Sequence, residues 1–152
     1  MRVLIQCVKK ASVTVNGEKV SAIGRGELLF VGFTNGDDET VVDKMIQKVL
    51  KLRIFADEKG LTNLSLSQIG GKMLAVSQFT LYGDVKDGNR PSFVGAMKPD
   101  EARKLFSYFQ NKLSENFPGA KFGIFQAMMD VELLNDGPFT IWLDSKDLGY
   151  GD

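Results

Sequence analysis

The sequence predicts a mixed α/β (α+β) domain: two packed β layers, or a barrel-like mixed sheet, with two main helices outside. Three observations lead there. The first third alternates apolar and polar residues around a hairpin turn, only two segments repeat apolar residues at helical spacing, and the last third returns to short strand-like runs. Two helices are too few to serve as crossovers in a doubly wound parallel sheet. At 152 residues the chain reads as a single domain over 1–152. A chain of that length buries about 68–70% of its unfolded surface, enough for a core without disulfides.

The elements follow in order. Val13 and Val15 alternate with Ser12, Thr14 and Asn16, the period of a half-buried strand. Asn16-Gly17 signals a hairpin, because both turn positions favour positive φ. Residues 20–23 read as the returning strand, broken by Gly24-Arg25-Gly26. Leu28-Leu29-Phe30-Val31 reads as a buried strand, extended by Gly32-Phe33. Asn35-Gly36-Asp37-Asp38 supplies a helix N-cap and first-turn acids. Val41/Val42, Met45/Ile46 and Val49/Leu50 then mark one face of a helix of about three to four turns. Leu52-Arg53-Ile54-Phe55 reads as a strand closed by Asp57-Glu58-Lys59-Gly60, and residues 73–79 as a central strand entered through Gly70-Gly71. Residues 83–91 form a loop. Pro99-Asp100-Glu101 opens a second helix, with Pro and acids suited to a first turn. Ala102, Leu105, Phe106, Phe109 and Leu113 mark its buried face, and Pro118-Gly119 ends it. The remainder predicts strands at about 122–127, 131–134 and 139–143.

Composition excludes whole classes of chemistry. Lys+Arg and Asp+Glu are 19 each, for a formal net charge of +0, with a single Cys and no His. Without His there is no Ser-His-Asp or Cys-His device and no zincin motif, and one Cys cannot build a structural zinc site. No metal and no cofactor are expected. Balanced charge argues against a protein that coats nucleic acid by bulk electrostatics. No run approaches ~18 apolar residues, so no membrane span is expected. The start, Met1-Arg2-Val3-Leu4-Ile5-Gln6, turns polar too soon for a secretory segment. A lone Cys7 leaves no internal disulfide, and a cytoplasmic location is expected.

Several candidates have a plain structural explanation. Cys7 lies in an apolar-polar strand pattern with no His to activate it and reads as a buried structural thiol. Gly24-Arg25-Gly26 lacks a third glycine and precedes a strand, unlike a phosphate loop. Asp37, Asp38 and Glu39 read as helix capping rather than cation ligands, and Asp100, Glu101, Arg103 and Lys104 as a solvated helix face.

Two segments stand out. Ser77-Gln78-Phe79-Thr80-Leu81 places polar residues at the end of a central strand, where sites are commonly built. Its hydroxyls, amide and free backbone N–H groups suit a carbonyl or an oxyanion, although a strand leaving its sheet would look the same. Asn135-Asp136-Gly137-Pro138-Phe139-Thr140 has the composition of a tight turn between two strands, the simpler reading on chemistry alone.

Together, SQFTL at 77–81 and NDGPFT at 135–140 resemble the two signature motifs of the D-aminoacyl-tRNA deacylase family of the bacterial and eukaryotic type. Leu52-Arg53-Ile54-Phe55 and Gly88-Asn89-Arg90-Pro91-Ser92-Phe93 support the resemblance, which runs from Met1 to about Leu143 in consistent order. It implies hydrolysis of the ester between a D-amino acid and the tRNA 3′ end, in a homodimer whose active site lies at the subunit interface. The implied catalytic residues are Ser77, Gln78, Phe79 and Thr80. The implied substrate-binding residues are Ala127, Met129, Asn135, Gly137 and Pro138. A cis Gly137-Pro138 bond reaching into the partner's site would hold the substrate amino group with backbone carbonyls and leave no room for an L side chain. Such a site reads configuration at Cα and ignores side-chain identity, so achiral glycine is expected to be tolerated.

Without His, two routes to hydrolysis are open: a covalent Thr80 intermediate, which lacks an obvious base, or water activated by the ribose 2′-OH of the terminal adenosine. The second is preferred. The chain departs from the family pattern at Gln126 (usually Gly), at Phe139 (usually Val) and at Gly60-Leu61-Thr62-Asn63 (usually Gly-Lys-Met-Asn). Two other readings are a nucleic-acid-binding module without hydrolase activity and a deacylase that prefers mischarged L-aminoacyl-tRNA. The second class carries Pro-Gln-Ala-Thr-Leu where this chain has SQFTL.

Overall fold

A computed structural model describes residues 1–151. Its order is β1 (Arg2–Val15), β2 (Glu18–Ile23), β3 (Gly26–Gly32), α1 (Glu39–Lys51), β4 (Phe55–Ala56), β5 (Thr62–Leu64), β6 (Lys72–Ser77), α2 (Pro99–Asn116), β7 (Lys121–Phe122) and β8 (Met129–Asp144). Short 3₁₀ turns lie at Ser67–Ile69 and Phe79–Tyr82. Among the described residues no helix is long and apolar enough to cross a membrane.

The main sheet runs β2-β1-β3-β6-β7, with β8 paired along the other edge of β1. The β1 pairings are antiparallel, whereas β3–β6 and β6–β7 are parallel. Asn16 and Gly17 take φ values of 50° and 78°, as the β1–β2 hairpin requires. The Ser21 hydroxyl donates to the Phe122 carbonyl at 3.0 Å, linking β2 to β7 and curling the sheet towards closure. This is the barrel-like mixed sheet with two helices that the sequence predicts.

Irregularities in the β1–β8 ladder at residues 6–10 let β1 feed two cores. Val3, Ile5 and Cys7 join the cluster shared with α1 and α2, whereas Val8, Ala11 and Val13 join Leu28, Leu74 and Val76 in a second cluster. The Asp38 carboxylate caps α1 by accepting the Val41 N–H at 3.0 Å. Val41, Val42, Met45, Ile46 and Val49 are its buried face, as their spacing predicts. On α2, Phe106 stacks on Phe109 and touches Phe125, with centroids 5.6 and 5.8 Å apart, and Phe109 meets Phe122 edge-on at 6.4 Å. These rings seat the chain after β7 against α2.

Three expectations are corrected. The strand expected at 52–55 pairs only at Phe55–Ala56, with β5 as its partner. The strand expected at 122–127 ends at Phe122, and Gln126 beyond it adopts φ 65°. The Asn135–Pro138 region is not a turn between two strands. β8 is one strand of 16 residues. Its ladder with β1 pairs Asn135 with Val8 and Thr140 with Gln6, so residues 136–139 bulge opposite Cys7 alone. Turn chemistry serves here to swell a strand rather than to reverse it.

Candidate active site

The first motif lies where β6 leaves the sheet. Gln78 N–H donates to the Val31 carbonyl at 2.7 Å, carrying the β3–β6 pairing one residue past Ser77. The chain then tightens into the 3₁₀ turn Phe79–Tyr82, closed by Leu81 N–H to the Gln78 carbonyl and Gly83 N–H to the Thr80 carbonyl, at 3.3 and 2.9 Å. The first N–H groups of a helical turn have no partner within it. Phe79 and Thr80 N–H accordingly find no acceptor among the described residues. Gln78 donates its side-chain amide to the Thr80 hydroxyl.

This turn is pressed onto the sheet by a glycine. A Cβ on Gly32 would lie 2.8 Å from the Gln78 carbonyl oxygen and 3.3 Å from Leu81 Cβ, so only glycine permits the approach. Phe79 is 57% exposed, yet its ring is fixed edge-on against Phe93 at 5.1 Å. The loop bearing Phe93 is itself pinned: Asp84 and Ser92 exchange backbone hydrogen bonds at 2.8 Å, and Met97 N–H donates to Phe33 at 3.0 Å. Arg2 holds the far end of the turn, donating to the Leu81 carbonyl at 2.7 Å.

Met129 packs in the cluster that contains Phe30 and Val76, the neighbour of Ser77, so the start of β8 curls back towards the first motif. Ala127 is half-buried two residues before it, and its N–H donates to Ile124 at 3.2 Å. Gln126 explains the family's usual glycine: its left-handed backbone favours one. Here the Gln126 side chain instead accepts a hydrogen bond from Arg103, whose guanidinium lies 4.9 Å from the Phe125 ring centroid.

The second motif is elsewhere. Ser77 pairs with Val31, Val31 with Val3 and Val3 with Leu143, whereas Asn135 lies level with Val8, Gly26 and Lys72. The two motifs are therefore separated by about 16 Å along the strands and about 14 Å across three strand spacings. One chain does not bring Asn135, Gly137 and Pro138 to Ser77, Gln78, Phe79 and Thr80. The Gly137-Pro138 peptide bond is cis, and both residues are exposed on the bulge.

The chemistry available at the first motif is that of hydroxyls, an amide and backbone donors, since residues 77–81 carry no ionisable side chain. Cys7 is buried, and burial, reinforced by Glu27 and Asp136, pushes its thiol up to about 12. It is the structural thiol expected. The sequence reading missed Arg2, which looks like an ordinary strand start, and Glu27. The Glu27 carboxyl is fully buried with neither oxygen hydrogen-bonded, and burial raises it to about 8. A charge standing directly at the head of the apolar run at residues 28–31 is the signal for Glu27 in the sequence.

The pattern that defines the D-Tyr-tRNA(Tyr) deacylase family matches residues 4–144. The chain is 53% identical over 148 residues to a D-aminoacyl-tRNA deacylase of Syntrophus aciditrophicus (strain SB), covering 97% of this chain and 99% of that protein. A solved structure described as the c-Myc DNA Unwinding Element Binding Protein superposes with TM-score 0.90 at 39% identity, covering 95% of this chain and 98% of the other. A probable eukaryotic D-amino acid tRNA deacylase shares the fold, with TM-score 0.78 at 19% identity over 93% of this chain and 97% of the other.

Proposed function

The chain belongs to the D-Tyr-tRNA(Tyr) deacylase family, and on that premise we propose that it hydrolyses the ester joining a D-amino acid to the 3′ end of tRNA. The observation that carries the chemistry is the pair of free N–H groups at Phe79 and Thr80 on an exposed, rigidly held turn. They suit the oxyanion of a tetrahedral intermediate, where loss of one donor typically costs about 3–4 kcal/mol of barrier. An ester is already activated, so the site needs no side chain titrating near neutrality. The terminal ribose 2′-OH assists the attacking water, and Gln78 and Thr80 position the ester.

Selection against L substrates comes from a second copy of the chain. The separation of the two motifs within one protomer supports a site completed in a homodimer, as does the exposed bulge on β8. Leu134 and Trp142, each 47% exposed on that same outer strand, supply apolar surface for a subunit contact. The partner's Gly137 and Pro138 present carbonyls to the substrate amino group where an L side chain would have to sit. Ala127 and Met129, together with the partner's Asn135, line the remaining wall.

The mechanism is tested by substituting the substrate. A D-Tyr-tRNA ending in 2′-deoxyadenosine is hydrolysed far more slowly than the ribose form, while Thr80→Ala retains substantial activity on the normal substrate. An inactive Thr80→Ala that still binds substrate would transfer the nucleophile's role to Thr80.

A further inference from the structure

The end of α1 remote from the candidate active site carries a cationic groove that the hydrolytic chemistry does not use. Lys44, Lys48 and Lys51 follow at i, i+4 and i+7 and therefore share one helix face. With Arg53 they line a groove of about 490 Å³ that also includes Tyr150 and Asp43. Among the described residues none of the four cations forms a salt bridge. The one acid in the groove is already engaged, because Asp43 accepts the Tyr108 hydroxyl at 2.7 Å. Arg53 is held in place, donating from Nε to the Asn63 carbonyl at 2.7 Å and from Nη2 to the Asn63 side chain. In a chain with net charge +0, this is a local concentration of positive charge rather than part of a general basic surface.

We propose that this groove binds the phosphate backbone of the tRNA outside its 3′ end, a proposal that rests on the deacylase reading above. Seven residues separate Lys44 from Lys51, about 10 Å along the helix, a length over which a nucleic-acid strand presents several phosphates. The location also fits. α1 starts after the end of β3 that neighbours Ser77, and its 13 residues carry its other end about 20 Å away. At that end Arg25, which precedes β3, lies 5.7 Å from the Phe55 ring centroid. A single aminoacylated nucleotide bound at Thr80 is too short to cover the roughly 20 Å to Lys51, so the groove would meet tRNA further back from the ester.

The test measures binding of uncharged tRNA over a range of salt concentrations for wild type and for Lys44→Gln, Lys48→Gln and Lys51→Gln combined. The log–log salt slope becomes shallower by about 2–3, with about tenfold weaker binding at low salt. The triple Lys→Arg variant keeps the wild-type slope. Hydrolysis of D-tyrosyl-adenosine, too small to span the two sites, is unchanged in the Gln variant. An unaltered slope in the Gln variant overturns the proposal, as does an equal loss of D-tyrosyl-adenosine hydrolysis. Because tRNA binding is read without catalysis, a wild-type protein unable to hydrolyse D-Tyr-tRNA would sink the deacylase reading while the slope still decides the groove.

Discussion

Arg2 and Asp144 pair across the width of the chain, with Arg2 Nε donating to Asp144 Oδ2 at 2.9 Å. The same guanidinium donates to the Leu81 carbonyl and lies 4.3 Å from the Tyr82 and 5.3 Å from the Trp142 ring centroids. Arg2 thus ties the 3₁₀ turn of the first motif to the end of β8. Burial pushes the Asp144 carboxyl up, but the Arg2 hydrogen bond and the Lys146 N–H outweigh it and hold the group below its ordinary value. The pair's contribution is therefore present above the ordinary carboxylate range and lost as pH falls through the lower folded value.

Arg2→Ala frees the turn while leaving the motif residues intact. We expect kcat for D-Tyr-tRNA to fall about tenfold through misplacement of the Phe79 and Thr80 donors, with KM little changed. Arg2→Lys retains the charge but not the fork, and restores stability more than kcat. Steady-state kinetics beside thermal melts separate the two effects. A kcat that survives in Arg2→Ala would show that the turn holds its shape without the clamp.

Gly32→Ala tests the seating of the same turn from beneath. The added methyl meets the Gln78 carbonyl at 2.8 Å, so either the turn lifts or β3 shifts. A cost of about 1–3 kcal/mol is expected by urea denaturation, together with a loss of activity larger than that of Gly24→Ala. A Cβ on Gly24 meets nothing within 4 Å. Equal effects at the two glycines would contradict the packing account.

Glu27 makes stability depend on pH in an unusual direction. Its folded value of about 8 lies above the ordinary 4.5, so the folded protein binds a proton that the unfolded chain releases. Stability attributable to this group is greatest below about pH 4.5, falls as pH rises towards 8, and levels off above it. Glu27→Leu removes that slope and gains about 3 kcal/mol relative to wild type near pH 7, with much less gain at pH 5. Unfolding curves at pH 5 and pH 8 decide it; a gain of the same size at both would rule out the buried carboxyl as the cause.

The parts of the fold legible in the sequence are those fixed by neighbours in the chain. Asn16-Gly17 makes its own hairpin, Asp38 caps its own helix, and the apolar faces of α1 and α2 follow from spacing. The candidate site was half legible. Residues 77–81 stand out because polar groups end a buried strand, and the turn that follows leaves Phe79 and Thr80 exposed while Ser77, Gln78 and Leu81 stay half-buried. The bulge at 136–139 was not legible, because Asn-Asp-Gly-Pro suits a turn and a bulge equally well and only the β1 register distinguishes them. Arg2 was hidden for a related reason: its partners lie 79 and 142 residues away in sequence. The distance between the two motifs is likewise a property of the assembled sheet, summed over three strand pairings.

The central claim is stereoselective hydrolysis, and the most direct test is the rate of ester loss from D-Tyr-tRNA and L-Tyr-tRNA carrying the same tRNA, corrected for spontaneous hydrolysis. The account predicts rapid release from the D ester and at least about a hundredfold slower release from the L ester, since an L side chain meets backbone rather than an adaptable pocket. Equal rates on both, or no enzymatic release from D-Tyr-tRNA, would contradict it.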